Sequence, residues 1–288
     1  MDKPAAKPDP SLPARIFSAL VGVVLLFGVL YEGRILLFAV LVAFLILGSI
    51  ELRDMLRNRG LELNMGFLIG GGFVMLLFSL PQLHDIYPGV PWREIALGLV
   101  LIGAFSSELI YGANIPRFAY SLMAFLYLPW TLGFFLLLRH SEAGNVGLWI
   151  LTLPLLCSFA NDVGAYFVGR FFGRRKLAPT ISPAKTVEGA VGGIVVSFLV
   201  LWAFTSTVRG FYPESAFGLL LPLELFVINL ILSFAAQLGD LTESMLKRFC
   251  NVKDSGSFLP GHGGLLDRLD SHLFTVPLSY YLLSIFIG

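Results

Sequence analysis

The sequence predicts an all-α, polytopic integral membrane protein with about nine transmembrane helices and a cytoplasmic N-terminus. Three observations predict it. Hydrophobic residues make up 56% of the 288 positions and charged residues only 14%, against about 45–50% and about 25% in soluble domains. The mean hydropathy is +0.81, with 26 Phe, more apolar surface than a water-soluble globule can hide. The apolar residues also fall into runs of bilayer-crossing length. A formal net charge of +1 offers no basic surface for nucleic acid. Cys157 and Cys250 lie far apart without CxxC spacing, which excludes a disulfide framework and a Cys-based zinc site.

Taken in order, residues 1–13 are a Pro/Ala/Lys tail, expected to be disordered and cytoplasmic. A helix crossing the hydrocarbon core needs about 20 mostly apolar residues, within a range of roughly 17–25. Runs of that kind lie near 14–31, 34–51, 65–81, 95–112, 118–138, 146–168, 187–206, 216–239 and 271–288. The first lacks a small-residue cleavage site after its apolar stretch and reads as a retained helix. Tyr31-Glu32-Gly33-Arg34 could turn it tightly into the second. Residues 14–288 then form one membrane domain, with N-terminal helices over 14–145 and catalytic helices and cytoplasmic loops over 146–288.

The basic residues support this alternation, because cytoplasmic loops accumulate Lys and Arg. With the N-terminus inside, sixteen of the twenty fall on one side. They are Lys3, Lys7, Arg15, Arg53, Arg57, Arg59, Arg117, Arg170, Arg174, Arg175, Lys176, Lys185, Lys247, Arg248, Lys253 and Arg268. Only Arg34, Arg93, Arg139 and Arg209 fall on the other.

Two cytoplasmic segments, 161–188 and 240–270, concentrate charge, glycine and proline. In the second, Asp240, Glu243, Ser244 and Lys247 share a face if the eighth helix continues past Gly239. Asp267 and Asp270 stand three apart at the entry to the last span, and Pro260-Gly261-His262-Gly263-Gly264 separates the two acidic ends. Carboxylates beside Lys and Arg suit a divalent cation and a phosphorylated substrate: Mg²⁺ is usually held by one or two carboxylates plus substrate phosphates. Lys and Arg grip the remaining phosphate oxygens, and glycines let backbone N–H groups approach an anion.

The run Ser244-x-x-Lys247-Arg248-x4-Lys253-Asp254-x-Gly256-x2-Leu259-Pro260-Gly261-His262-Gly263-Gly264-x-x-Asp267-Arg268-x-Asp270 resembles the signature of phosphatidate cytidylyltransferases (CDP-diacylglycerol synthases). The resemblance is strongest from about 157 to the end; the N-terminal half is similar only in hydropathy.

In the first segment, Asn161-Asp162 falls inside an apolar helix, where an ionised residue costs roughly 2.5–3.5 kcal/mol and marks a functional position by default. Arg170 and Arg174 follow. Ser182-Pro183 is expected to be an N-cap with proline at the first helical position, aiming N–H groups at an anion beside Lys185 and Thr186. Both blocks, through Glu188, also resemble the second polar region of that family.

The resemblance implies CTP plus phosphatidate giving CDP-diacylglycerol plus pyrophosphate; the short tail without a transit-peptide pattern points to the inner (cell) membrane of a bacterium, and the basic residues put the site on the cytoplasmic side. The resemblance also implies Asp240, Lys247 and Asp267 as catalytic residues, with Asp240 and Asp267 as Mg²⁺ ligands on facing helix ends. The substrate-binding set is Asn161, Asp162, Arg170, Ser182, Lys185, Thr186, Glu188, Ser244, Arg248, Lys253, Asp254, His262, Gly263, Gly264, Arg268 and Asp270. Whether a second, monovalent cation joins them stays open. The implied partners are the two substrates, the bilayer and a second copy of the chain in a homodimer. The rival readings are a CTP-dependent polyprenol or phytol kinase and a membrane transporter.

Overall fold

The computed structural model describes residues 27–33, 35–87, 89–142, 145–256 and 263–286. The tail, most of the first expected span and His262 lie outside the described residues. Residues 27–32 are helical. The helices α1 (Ile35–Arg57), α2 (Met65–Phe78), short α3 (Pro81–Ile86), α4 (Trp92–Tyr111), α5 (Ile115–Tyr127), α6 (Pro129–Arg139) and α7 (Val146–Phe172) follow. Strands β1 (Lys176–Ala178) and β2 (Ser182–Thr186) come next, then α8 (Val187–Phe211), short α9 (Ala216–Leu219), α10 (Pro222–Phe249), α11 (Leu266–Leu269) and α12 (His272–Phe286).

Five stretches are long and apolar enough to cross a membrane among the described residues: α1, α5 with α6, α7, α8 and α10. The chain is therefore a mostly helical membrane protein. α5 and α6 run on through Leu128, where the Thr131 hydroxyl donates to the Tyr127 and Leu128 carbonyls. α2 and α12, with 14 and 15 residues, stand at the expected third and ninth spans but are short. α4, at the fourth, has 20 residues and carries Arg93, Glu94 and Glu108.

The helices form two packed groups. α2 packs against α1, α4, α5 and α6; α7, α8, α10 and α12 form the other group, joined to the first where α6 meets α7 and α12. Leu41, Leu45, Leu52, Leu68, Met75, Leu76, Leu128 and Leu132 are fully buried at the centre of the first. In the second, α7 and α8 lie so close that a Cβ on Gly193 would stand 2.6 Å from the Asn161 side-chain oxygen. Phe159, Val191, Val195, Leu199 and Trp202 remain exposed on these two helices, as lipid-facing residues do.

The all-α expectation needs one correction. β1 and β2 form an antiparallel hairpin, with Lys176 opposite Thr186 and Ala178 opposite Ser182. Ser182 is therefore a strand residue and not the helix cap; Thr186 caps α8, its hydroxyl accepting from the Gly189 N–H at 3.1 Å. The physical reason is local. Pro179 and Pro183 each favour extended backbone in the residue before them, and Thr186 stands at the right distance from Gly189 to take the cap.

α10 continues past Gly239, as the spacing required. Its 28 residues span about 42 Å, longer than the roughly 30 Å hydrocarbon core, so its last turns carry the charged residues beyond the apolar zone. Asn251, with φ 57°, takes the left-handed conformation that closes the helix, and the Val252 N–H donates to the Lys247 carbonyl.

Candidate active site

α7, the hairpin, α8 and α10 enclose a cavity of about 460 Å³ that opens to one side. Asn161, Asp162, Tyr166, Arg170, Lys185, Thr186, Gln237 and Asp240 line it. The hairpin brings Lys185 to α10, where its ammonium lies 2.5 Å from the Asp240 carboxylate. The other Asp240 oxygen accepts from the Ser244 hydroxyl at 3.4 Å. Asp162 is exposed to the cavity. Asn161 is buried beneath it, its side-chain oxygen accepting from the Gln237 amide at 3.1 Å. Arg170 is exposed and donates to the Tyr166 hydroxyl.

Asp270 belongs to the same electrostatic group. Gly239 allows α10 to touch its backbone: a Cβ there would lie 2.5 Å from the Asp270 carbonyl oxygen. Burial pushes the Asp270 carboxyl up to about 7, with the Asp240 and Asp162 charges adding to the rise and the Ser271 N–H and Lys185 opposing it. Three carboxylates thus share one neighbourhood with one ammonium.

A second cluster sits further along α10. Lys247 bridges Glu243 and Asp267, its ammonium 2.5 Å from each carboxylate. The remaining Asp267 oxygen accepts from the Ser255 N–H and hydroxyl, both at 2.9 Å, and from the Gly264 N–H at 2.8 Å. Burial alone would raise the Asp267 carboxyl, but Lys247 and the two N–H donors hold it well below the usual carboxylate range. Gly263 has φ +84° and its Cα approaches the same carboxylate, so a glycine is needed there. The N–H of Gly264, expected to meet a substrate anion, is occupied by Asp267 instead.

Other expected residues hold the frame. Glu188 accepts from the Arg174 and Arg175 N–H groups and ties the hairpin's start to α8. The Arg248 guanidinium reaches the Ile181 carbonyl and ties the end of α10 to the hairpin turn. Lys253, Asp254 and Arg268 are exposed.

Four participants escaped the sequence reading as site residues: Gln237, Ser255, Arg59 and Glu51. Glu51, buried near the end of α1, accepts from the Leu265 N–H at 2.8 Å, the Leu266 N–H at 3.0 Å and the Ser255 hydroxyl at 3.1 Å. Its signal was available: it is an acid in an apolar helix, the criterion that singled out Asp162. Arg59 donates to the Phe249 carbonyl and, at 3.1 Å, to the Asn251 side chain.

The donor set fits a hard divalent cation only in part. Among the described residues no three His, Cys, Asp or Glu side chains gather as a metal-binding group. Asp240 and Asp267 each already hold an ammonium at 2.5 Å, so each carboxylate has a place for a cation beside it. One or two carboxylates with the rest of the shell from phosphate and water is the usual arrangement for Mg²⁺.

A sequence profile described as "Cytidylyltransferase family" matches residues 13–286. A phosphatidate cytidylyltransferase of Bacillus subtilis is 37% identical over 83% of this chain and 87% of its own length. Those of Synechocystis and Staphylococcus saprophyticus are each 34% identical, over 93% and 94% of this chain and 94% and 99% of theirs. The chain belongs to the cytidylyltransferase family.

Proposed function

We propose that this family member is a phosphatidate cytidylyltransferase: it joins the cytidylyl group of CTP to the phosphate of phosphatidate, forming CDP-diacylglycerol and releasing pyrophosphate. The observation that carries the reading is the cavity in which Lys185 and Asp240 meet beside Asp162, in a chain whose relatives of that name match it nearly end to end.

The nucleophile is a lipid phosphate oxygen. It attacks the α-phosphorus of CTP, and the bond to the bridging oxygen of the departing pyrophosphate breaks. Since the nucleophile is already anionic near neutral pH, the protein's task is alignment and charge neutralisation. Lys185 and Arg170 are the cations that line the cavity, and they hold phosphate oxygens. Asp162 and Asp240 orient Lys185 between them. Asn161 and Gln237 give the cavity a polar floor. Lys247, Arg248, Lys253 and Arg268, with Ser244, serve the phosphates from the α10 side, His262 is a further phosphate contact, and Asp254 and Asp270 orient those bases. Asp240, open to the cavity, is the carboxylate that would hold Mg²⁺, which when bound neutralises the triphosphate and the leaving group; Asp267, in the separate cluster, would join it by exchanging Lys247 for the ion.

The site faces the cytoplasm, where the basic residues cluster, and CTP enters from that side. The chain crosses a bacterial inner membrane nine times with its N-terminus in the cytoplasm, and the working form is a homodimer. Purified protein in detergent, given labelled CTP, phosphatidate and Mg²⁺, is expected to release pyrophosphate and label the lipid with cytidine. Release of CDP with a phosphorylated alcohol would make it a kinase, and no turnover with flux across proteoliposomes would make it a carrier.

A further inference from the structure

We propose that Glu51, on α1 in the N-terminal half, is a positioning residue that fixes the loop carrying Asp267 through the Ser255 hydroxyl and the Leu265 and Leu266 N–H groups. The inference rests on the reaction proposed above for its kinetic consequence and on geometry for its structural one. More than two hundred residues separate Glu51 from its three partners, yet all three donors lie on the loop between α10 and α12. Glu51 is 8% exposed. No salt bridge reaches it among the described residues, and its hydrogen-bond partners there are neutral donors of that loop.

The loop is shaped around this carboxylate. A Cβ on Gly256 would stand 2.5 Å from one Glu51 oxygen, and a Cβ on Gly264 would stand 2.7 Å from the other and 2.1 Å from the Ser255 hydroxyl. Two glycines of the signature are thereby required by a residue outside it. Ser255 is the link to the reacting centre. Its hydroxyl oxygen lies 3.1 Å from Glu51 and 2.9 Å from Asp267, and a hydroxyl has one proton to give. Glu51 and Asp267 therefore compete for that proton, and the occupancy of one alters the donor set of the other. Arg59, two turns further along the same segment, clasps the end of α10 from the other side. The N-terminal half thus brackets both ends of the loop.

The test uses the full chain in detergent, with hydrogen exchange read beside kinetics. Glu51→Gln keeps the shape but turns an NH₂ toward the loop's N–H donors. Exchange at Leu265 and Leu266 is expected to quicken at least about tenfold, the effect of losing a charge-assisted hydrogen bond. Per folded molecule, kcat falls by about tenfold or more and the half-saturating Mg²⁺ concentration rises. Ser255→Ala moves the same readouts less, and the double variant loses less than the product of the two single losses, since both act through one link. Unchanged exchange would overturn the proposal. So would normal kcat and normal Mg²⁺ dependence in the folded fraction, which is what a merely structural role gives, or fully multiplicative losses. If Glu51→Gln does not fold, Ser255→Ala decides: unchanged exchange at Leu265 and kcat within about twofold of the parent would reject the link. A wild type that turns over no CTP would reject the reaction, while the exchange result would still stand or fall by itself.

Discussion

The two carboxylate clusters that meet α10, one at Asp240 and one at Lys247 about two turns further on, are built from the same residue types and have opposite characters. Around Asp240, the partners are a lysine and a serine, and the cavity leaves Asp162 and Asp240 open to a ligand. Around Asp267, every contact is internal: a lysine shared with Glu243, a hydroxyl and two backbone N–H groups. An open carboxylate is poised for a ligand, whereas a saturated one organises chain. The difference teaches that the two charged segments do two jobs: residues outside the Ser244–Asp270 run supply most of the open cluster, and the glycines of that run, with Ser255, serve the closed one.

The sharpest way to break the comparison is to neutralise each carboxylate in turn. Asp240→Asn should lower CTP turnover by about a thousandfold, the scale of a lost electrostatic contact at the reacting phosphates, with the thermal midpoint nearly unchanged. Asp267→Asn should lower turnover as severely and also destabilise the protein by about 2–3 kcal/mol, because Lys247 and the loop donors lose their acceptor in a partly buried place. Chelator-treated protein measured by calorimetry, beside the turnover assay, separates the two. Equal destabilisation by both variants would erase the distinction between the clusters.

A smaller effect sharpens the open cluster through pH. The Asp270 carboxyl is raised to about 7 in the folded protein, above the unfolded value of about 3.9. Between those two values the folded state binds more protons than the unfolded one, so stability falls as pH rises through the window and levels off above it. Asp270→Asn should flatten that decline in chelator-treated protein; a decline of unchanged slope would mean that another group causes it.

The smallest predicted effect concerns the hairpin that carries Lys185. Thr186→Ala removes the cap of α8 and should cost about 1 kcal/mol, and by loosening Lys185 it should raise the apparent KM for CTP by about threefold, within what 1 kcal/mol allows. Thr186→Ser should restore both. An equal loss in both substitutions would point to the methyl group and not the cap.

Much of the fold was legible because lipid imposes it. Long apolar runs must be helices where no water can satisfy the backbone, and that places α1, α5 with α6, α7, α8 and α10. The face shared by Asp240, Ser244 and Lys247 was legible because helical periodicity is local. The hairpin was not, since Ser182-Pro183 suits a helix start as well as an edge strand; only Thr186 three residues before Gly189 tips the choice. Glu51 was missed because the signature drew attention to the C-terminal half, and nothing local says which buried N–H groups an acid will meet.

By itself, then, the amino-acid order determined the membrane class, the five long spans, the acidic helix faces and the kinship with cytidylyltransferases, all of which depend on neighbours within a few turns. Tertiary structure alone decided which acids stay open and which close upon the chain, and that α1 supports a loop some two hundred residues away. The reason is physical: hydropathy and helical period act at short range along the chain, whereas a buried carboxylate takes its partners from whatever donors packing brings within hydrogen-bond distance.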